Sequence, residues 1–327
     1  MPKPHASVSL DLDNLWSYQK THGDAGWERF DTYLDAVCDA CLPLLAELGW
    51  KITFFVVGRD AADPRNRAAM RRLVDAGHEV GNHSYEHEPW LHRYAEDELH
   101  AELGRAEDAI EAACGQRTTL FRGPGYSCSN DLLGVLSDRG YRLDASTLPT
   151  WLGPVARWYY FRTAKLTAEQ REERSRLFGT TRDARRPVKP YRWALPDGPG
   201  GPREPLPEIP VTVAPFARVP FHPSYALYLA GKSSAAAGLY WRGALAACRL
   251  GGVEPSVLLH PLDFLGIDDE PRLSFFPAMG MTGATKRDLL RRWFRSLDRA
   301  FTVLTMGEHA RRLHEAGTLP LRSPDMG

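Results

Sequence analysis

Short apolar runs alternate with amphipathic segments through the first half of the chain, and this alternation does most to narrow the fold. Residues 8–12, 52–57, 78–82, 119–121 and 141–145 read as strands. The run Ile52-Thr-Phe-Phe-Val-Val57 is β-branched and aromatic throughout, as a buried strand requires. Between the strands, Phe30, Tyr33, Leu34, Val37, Cys41, Leu44, Leu45 and Leu48 recur at helical spacing, and Gly49 ends that helix. Asp63-Pro64 supplies an N-cap and a proline at the first helical position of a segment running to Gly77. Leu99, Leu103, Ala106, Ile110 and Ala113 mark another helix, and residues 129–139 a further one. Repeated strand–helix units imply parallel pairing with right-handed crossovers. An open doubly wound sheet and a closed β/α barrel both satisfy this pattern.

The alternation breaks near Thr150. Trp151, Trp158, Tyr159, Tyr160, Phe161 and Trp193 crowd residues 151–205, and a Pro/Gly-rich stretch follows over 187–223. That proline density predicts no regular helix or strand there. The expected organisation is a single domain over 1–327 with an insertion or cap at about 150–225. Alternation resumes with helices at 235–249, 284–300 and 306–316 and strands at 256–260 and 301–304.

Composition limits the function classes. The 327 residues carry 41 Lys+Arg against 41 Asp+Glu, and this balance argues against a dedicated nucleic-acid binder. Residues 151–205 alone hold 12 Lys+Arg against 6 Asp+Glu, so a basic insertion offsets an acidic remainder. Arg182, Arg185 and Arg186 are therefore expected to attract a phosphate or diphosphate on the substrate, the alternative being a solvated surface. No apolar run is long enough to span a membrane and no secretory pattern is visible, so a cytoplasmic location is expected. The five cysteines give an odd count in a long chain, which predicts free thiols. Cys38 and Cys41 fall on a helix as core residues rather than a redox pair.

Three polar clusters follow predicted strands, which in a parallel β/α fold places them on one face. Asp11 and Asp13 stand at i and i+2, so both carboxylates can point into one pocket. His83 and His87 stand at i and i+4, a spacing that puts both on one face of a helix and lets them hold one metal ion. Together with one carboxylate they make a His₂Asp site with positions left for water and substrate. Arg122-Gly-Pro-Gly-Tyr126 supplies glycines that let backbone N–H groups approach a substrate oxyanion. Leu258-Leu-His260-Pro-Leu-Asp263 ends a later strand with a histidine. His5, His22, His78, His92, His222 and His314 read as structural, although His222 lies in the insertion within reach of substrate.

The ordered set resembles the polysaccharide deacetylase family, the NodB-homology carbohydrate esterases. It is carried by Ser9-Leu-Asp11-Leu-Asp13, His83-Ser-Tyr-Glu-His87, Arg122-Gly-Pro124, Tyr141-Arg-Leu-Asp144 and Leu259-His260-Pro261, over about residues 7–148 and 253–307. The resemblance implies an α/β fold, a distorted (β/α)₇ barrel, and metal-assisted hydrolysis of an N-acyl group. It makes Asp11 the general base and Asp13, His83 and His87 ligands of one divalent ion, with zinc first and Co²⁺, Ni²⁺ or Mn²⁺ as the other candidates. Arg122 would orient Asp11, the Tyr126 N–H would stabilise the oxyanion, and His260 would be the general acid, with Asp144 or Asp263 fixing its tautomer. Leu12 separates the two aspartates where the family usually has them adjacent. That spacing also resembles a branch that includes deformylases of lipid-linked aminosugars.

The expected activity is removal of an acetyl or formyl group from an aminosugar that is free, nucleotide-linked or lipid-linked. A cyclic amide or ureide hydrolase of the allantoinase or imidase kind, on the same barrel, is the nearest alternative. A non-catalytic binding barrel is the third.

Overall fold

Strands covered by helices on both faces need apolar residues at consecutive positions, and the central run of this chain meets that demand. All four residues of Thr53–Val56 (β2) are buried. The computed structural model describes residues 3–153, 183–317 and 319–324. In it, β2 lies in parallel between His5–Asp11 (β1) and Glu79–Asn82 (β3), and β3 continues in parallel to Leu120–Phe121 (β4) and Leu143–Asp144 (β5). The helices between them are Leu15–His22 (α1), Leu34–Glu47 (α2), Gly58–Ala62 (α3), Arg67–Asp75 (α4), Glu96–Cys114 (α5) and Asn130–Asp138 (α6). Helix α2 turns Val37, Cys38, Cys41, Leu44 and Leu45 into the core. Burial pushes the Cys38 thiol up to about 12 and Cys41 well above its ordinary value, so this pair packs rather than reacts. All five cysteines are free.

The Pro-rich stretch departs from expectation. Tyr191–Trp193 (β6) and Leu206–Glu208 (β7) are strands, antiparallel to each other, and β7 pairs in parallel with β5 through Asp144 and Glu208. A three-residue strand tolerates Pro207 at a position that need not donate. The insertion thus supplies part of the sheet rather than only covering it. Of its residues, 154–182 lie outside the described part, and with them Trp158, Tyr159, Tyr160, Phe161 and Arg182.

The rest of the chain is Pro223–Ala230 (α7), Ser234–Gly251 (α8), Ser256–Leu259 (β8), Pro261–Phe264 (α9), Gly283–Ala300 (α10), Thr302–Leu304 (β9), Met306–Glu315 (α11) and Leu321–Arg322 (β10). The strand order is β10-β6-β7-β5-β4-β3-β2-β1-β8, with β9 also on β1. This is a curled, mixed half-barrel. Its open side is crossed by residues 209–212, where Ile209 N donates to Asp144 O, Val211 N to Thr147 O and Thr212 N to Ser256 O. Among the described residues no helix is long and apolar enough to cross a membrane.

His78 holds the start of this sheet. Its Nδ1 accepts the Ile52 N–H at 3.2 Å, and burial followed by nearby Lys51 pushes the imidazole down to about 4. The unfolded chain takes up this proton near pH 6.5 and the folded chain only near 4. Stability therefore falls as the pH drops through that window. The variant His78→Asn should lose less stability than the parent in urea unfolding between pH 7 and pH 4.5. Equal losses would rule out this role for His78.

Candidate metal centre and active site

Strand alternation explains the D-x-D spacing. Leu12 is 1% exposed and belongs to the core, so Asp11 and Asp13 turn to the opposite side, at the carboxyl end of β1. Asn14 then caps α1 by accepting the Leu15 N–H at 2.8 Å, and the Tyr33 hydroxyl donates to Asp13 O at 2.7 Å. These two bonds fix the backbone on the far side of the acidic pair.

His83 and His87 do not lie on a helix, which corrects the expectation from their spacing. They sit in the loop after β3, where Ser84 (φ 62°) and His87 (φ 55°) are left-handed. Side chains hold that strained path. Asn82 Oδ1 accepts the Ser84 N–H at 2.8 Å, Ser84 Oγ accepts the His87 N–H at 3.1 Å, and Glu102 from α5 accepts the N–H groups of Tyr85 and Glu86 at 2.9 and 2.7 Å. The result still brings both imidazoles to one carboxylate. Asp13 Oδ1 is 2.9 Å from His87 Nε2 and 3.5 Å from His83 Nε2. Burial alone would push the Asp13 carboxyl up, but the facing His87 and His83 imidazoles hold it well below the usual range. His83 is also buried, yet Asp11 and Asp13 raise it above its ordinary value.

The donor set fits a divalent ion. The ligand atoms of Asp13, His83 and His87 lie within 4.8 Å of one another, and Asp13 Oδ1 is buried without a hydrogen-bond partner. His83 Nδ1 lies 2.6 Å from Arg122 O. A bond to that carbonyl puts the ring proton on Nδ1 and leaves Nε2 to bind metal.

Arg122 is fully buried after β4. Its Nη1 donates to Asp11 Oδ1 and Ser9 Oγ, both at 2.8 Å, its Nε donates to Ala145 O at 2.9 Å, and its guanidinium lies 4.4 Å from the Phe55 ring centre. Arg122 thus contacts Asp11, the residue it is expected to orient. Gly123 is confined, because a Cβ there would come within 2.1 Å of Ser127 O.

The Tyr126 amide does not face the site. It donates to Gly123 O at 3.1 Å within a tight turn, so that N–H is already used. The Tyr126 phenol is raised above its ordinary value by burial and then by Tyr225 and Asp11, which places this side chain in the neighbourhood of the acidic pair.

Asp144 also departs from expectation. Its carboxyl takes the Ser146 hydroxyl and faces Glu208, whose own oxygens accept Thr147 N, Thr147 Oγ1 and Trp193 Nε1. Burial, then the Asp144 charge, holds Glu208 well above the usual carboxylate range. Asp263, not Asp144, adjoins His260, accepting its N–H at 2.8 Å on Oδ2. Strand pairing of Leu10 with Leu259 brings Asp11 and His260 to adjacent places at the same sheet end.

Tyr18 escaped the sequence argument, and His222 entered it only as a structural histidine within reach of substrate. The Tyr18 phenol on α1 is raised by burial and then by Asp13, Tyr33 and Asp263, so it lies among both acids. His222 stacks on His260 with ring centres 5.1 Å apart and planes at 23°. Its signal was available in the sequence, where a His-Pro dipeptide precedes a helix at 222–223 as at 260–261. Arg186 of the basic insertion is used structurally, pairing with Asp183 at 2.9 Å and lying over Trp193, while Arg185 is exposed.

Comparison with known proteins agrees with this geometry. Residues 19–143 match the family model for polysaccharide deacetylase. A chitooligosaccharide deacetylase from Bradyrhizobium sp. (strain ANU 289) is 34% identical over 133 residues, covering 38% of this chain and 59% of that protein. The chain thus spans about three fifths of that relative's length. A Mycobacterium smegmatis structure named for the polysaccharide deacetylases superposes with a TM-score of 0.59 at 18% identity, over 98% of this chain and 96% of that one. The Puue allantoinase structure gives 0.54 at 17%, over 95% and 90%. At these identities the structures speak for the fold, and the sequence match speaks for the family. The stretch 19–143 is thus similar to the polysaccharide deacetylase family, and the chain shares the fold of these structures.

Proposed function

We propose that this protein is a metal-dependent amidohydrolase that removes an acetyl or formyl group from an aminosugar, either small or carried on a lipid or nucleotide. The observation that carries the proposal is the convergence of Asp13, His83 and His87 beside an aspartate, Asp11, that is tied to a buried arginine. Asp13, His83 and His87 would hold a divalent ion, zinc first, which would supply Lewis acidity toward the amide carbonyl and bring the pKa of water toward neutral. Arg122 occupies Asp11 Oδ1, so Oδ2 is the oxygen left to take the proton of the attacking water. His260, next to Asp11 across the sheet, delivers a proton to the leaving amine, and Asp263 fixes the backbone on which its ring is mounted. The buried Phe55 ring against the Arg122 guanidinium limits solvent around the Arg122–Asp11 pair and strengthens its charge interaction.

Asp11→Asn keeps the shape of the site and removes the base. It should be less stable than the parent, because Arg122 is left buried without its counter-charge, and its folded fraction should show kcat/KM for amide hydrolysis lower by roughly 10²–10⁴. Activity within threefold of the parent would rule out Asp11 as the base.

A substrate panel tests the reaction class. N-acetyl and N-formyl aminosugars should be hydrolysed, with the released acid measured directly, and cyclic ureides and imides should not. Turnover of the cyclic compounds alone would assign the ring-opening reaction instead.

A further inference from the structure

His222 and His260 each precede a proline at the start of a helix, α7 and α9, and the two helices are joined by one carboxylate. Asp263 Oδ2 accepts the His260 backbone N–H, and Asp263 Oδ1 accepts the Ser224 hydroxyl. The Ser224 N–H in turn donates to His222 Nδ1 at 3.1 Å. The stacked rings close this circuit of His222, Ser224, Asp263 and His260. Because Nδ1 of His222 accepts, its ring proton resides on Nε2. The His222 backbone is pinned as well, its N–H donating to the Tyr240 hydroxyl at 3.2 Å while that hydroxyl donates to Pro220 O. His222 is 3% exposed, whereas His260 is half-buried.

We propose that His222 is a positioning residue for His260: its fixed ring covers one face of the His260 imidazole, keeps water from that face and sets the plane in which the ring can transfer its proton. The inference rests on His260 acting as the acid in the reaction proposed above. It gives the segment at the end of the insertion a specific task, since His222 comes from that segment and His260 from the end of β8.

The surroundings favour one protonatable partner in the stack. Burial, then His260 and Arg122, hold His222 well below its ordinary value, which favours its neutral form. The other titratable groups facing the pair are Asp263 from α9, Lys286 from α10, Tyr225 from α7, Tyr18 from α1 and Asp11 from β1. Asp263 faces His260, burial pushing its carboxyl up against the pull of that imidazole, and Lys286, which faces Asp263, donates to Leu262 O and Leu265 O at 2.7 and 2.8 Å.

The test is the titration of His260 followed by histidine ¹⁵N NMR on the zinc-loaded protein, with the resonance assigned by its loss in His260→Asn. Uncovering the ring hydrates the imidazolium, so His222→Ala should raise the His260 titration midpoint by about one pH unit. His222→Phe, which restores an apolar cover, should return it most of the way. His222→Gln keeps an acceptor for the Ser224 N–H without the ring and should behave like the alanine variant, which covers the case in which that variant does not fold. On an amide that the parent hydrolyses, the alanine or glutamine variant should lose about tenfold in kcat with KM within twofold and the alkaline limb of the pH profile displaced upward. Identical His260 titrations in parent, alanine, glutamine and phenylalanine variants would overturn the inference. A parent that hydrolyses no amide would instead overturn the proposed function, and the NMR titration would still decide the role of His222.

Discussion

One buried cation organises the site. Arg122 reaches Asp11 and Ser9 on β1 and Ala145 after β5, lies over Phe55 on β2, and offers its own carbonyl to His83. The proposed base, a proposed metal ligand and three strands are thereby referred to one residue. A guanidinium with no exposure is expensive to desolvate and is tolerated only when paired. Removing one member of such a pair typically costs about 3–5 kcal/mol because the other charge is left buried and alone. The same contacts that hold Asp11 in place therefore also hold the sheet end together, and stability and chemistry are not separable at this position.

The carboxyl end of the sheet collects functional groups because four of the strands stop at or just before a polar residue. Asp11 ends β1, Arg122 follows β4, Asp144 ends β5 and His260 follows β8. Leu12 faces the core between two acids, so the separated pair works through strand alternation, both carboxylates sharing one side. The loop after β3 is the exception. It is shaped by Glu102, Asn82 and Ser84 into a left-handed path that no periodicity encodes.

These particulars show why some of the molecule was legible in sequence and some was not. Strands β1 to β5, helix α2 and the ordering of Asp11, Asp13, His83, His87, Arg122 and His260 follow from local apolar pattern and strand-end position. The Tyr126 amide was misplaced because a left-handed tyrosine after Gly125 turns its N–H back onto Gly123, a feature of backbone angle rather than residue type. Strands β6 and β7 were missed because prolines disguise short strands, and Glu208 on β7, the partner that draws Asp144 away from His260, was missed with them. His222 was set aside as a lone histidine, since only the fold brings its His-Pro turn against that of His260.

The most direct test of the account is the metal content of the purified protein, measured by elemental analysis without chelator. The parent and Asp11→Asn should each carry about one divalent ion per chain, and Asp13→Ala and His83→Ala should each lose it while remaining folded. A parent without metal, or an ion retained in both ligand variants, would contradict the central claim that Asp13, His83 and His87 form the metal centre.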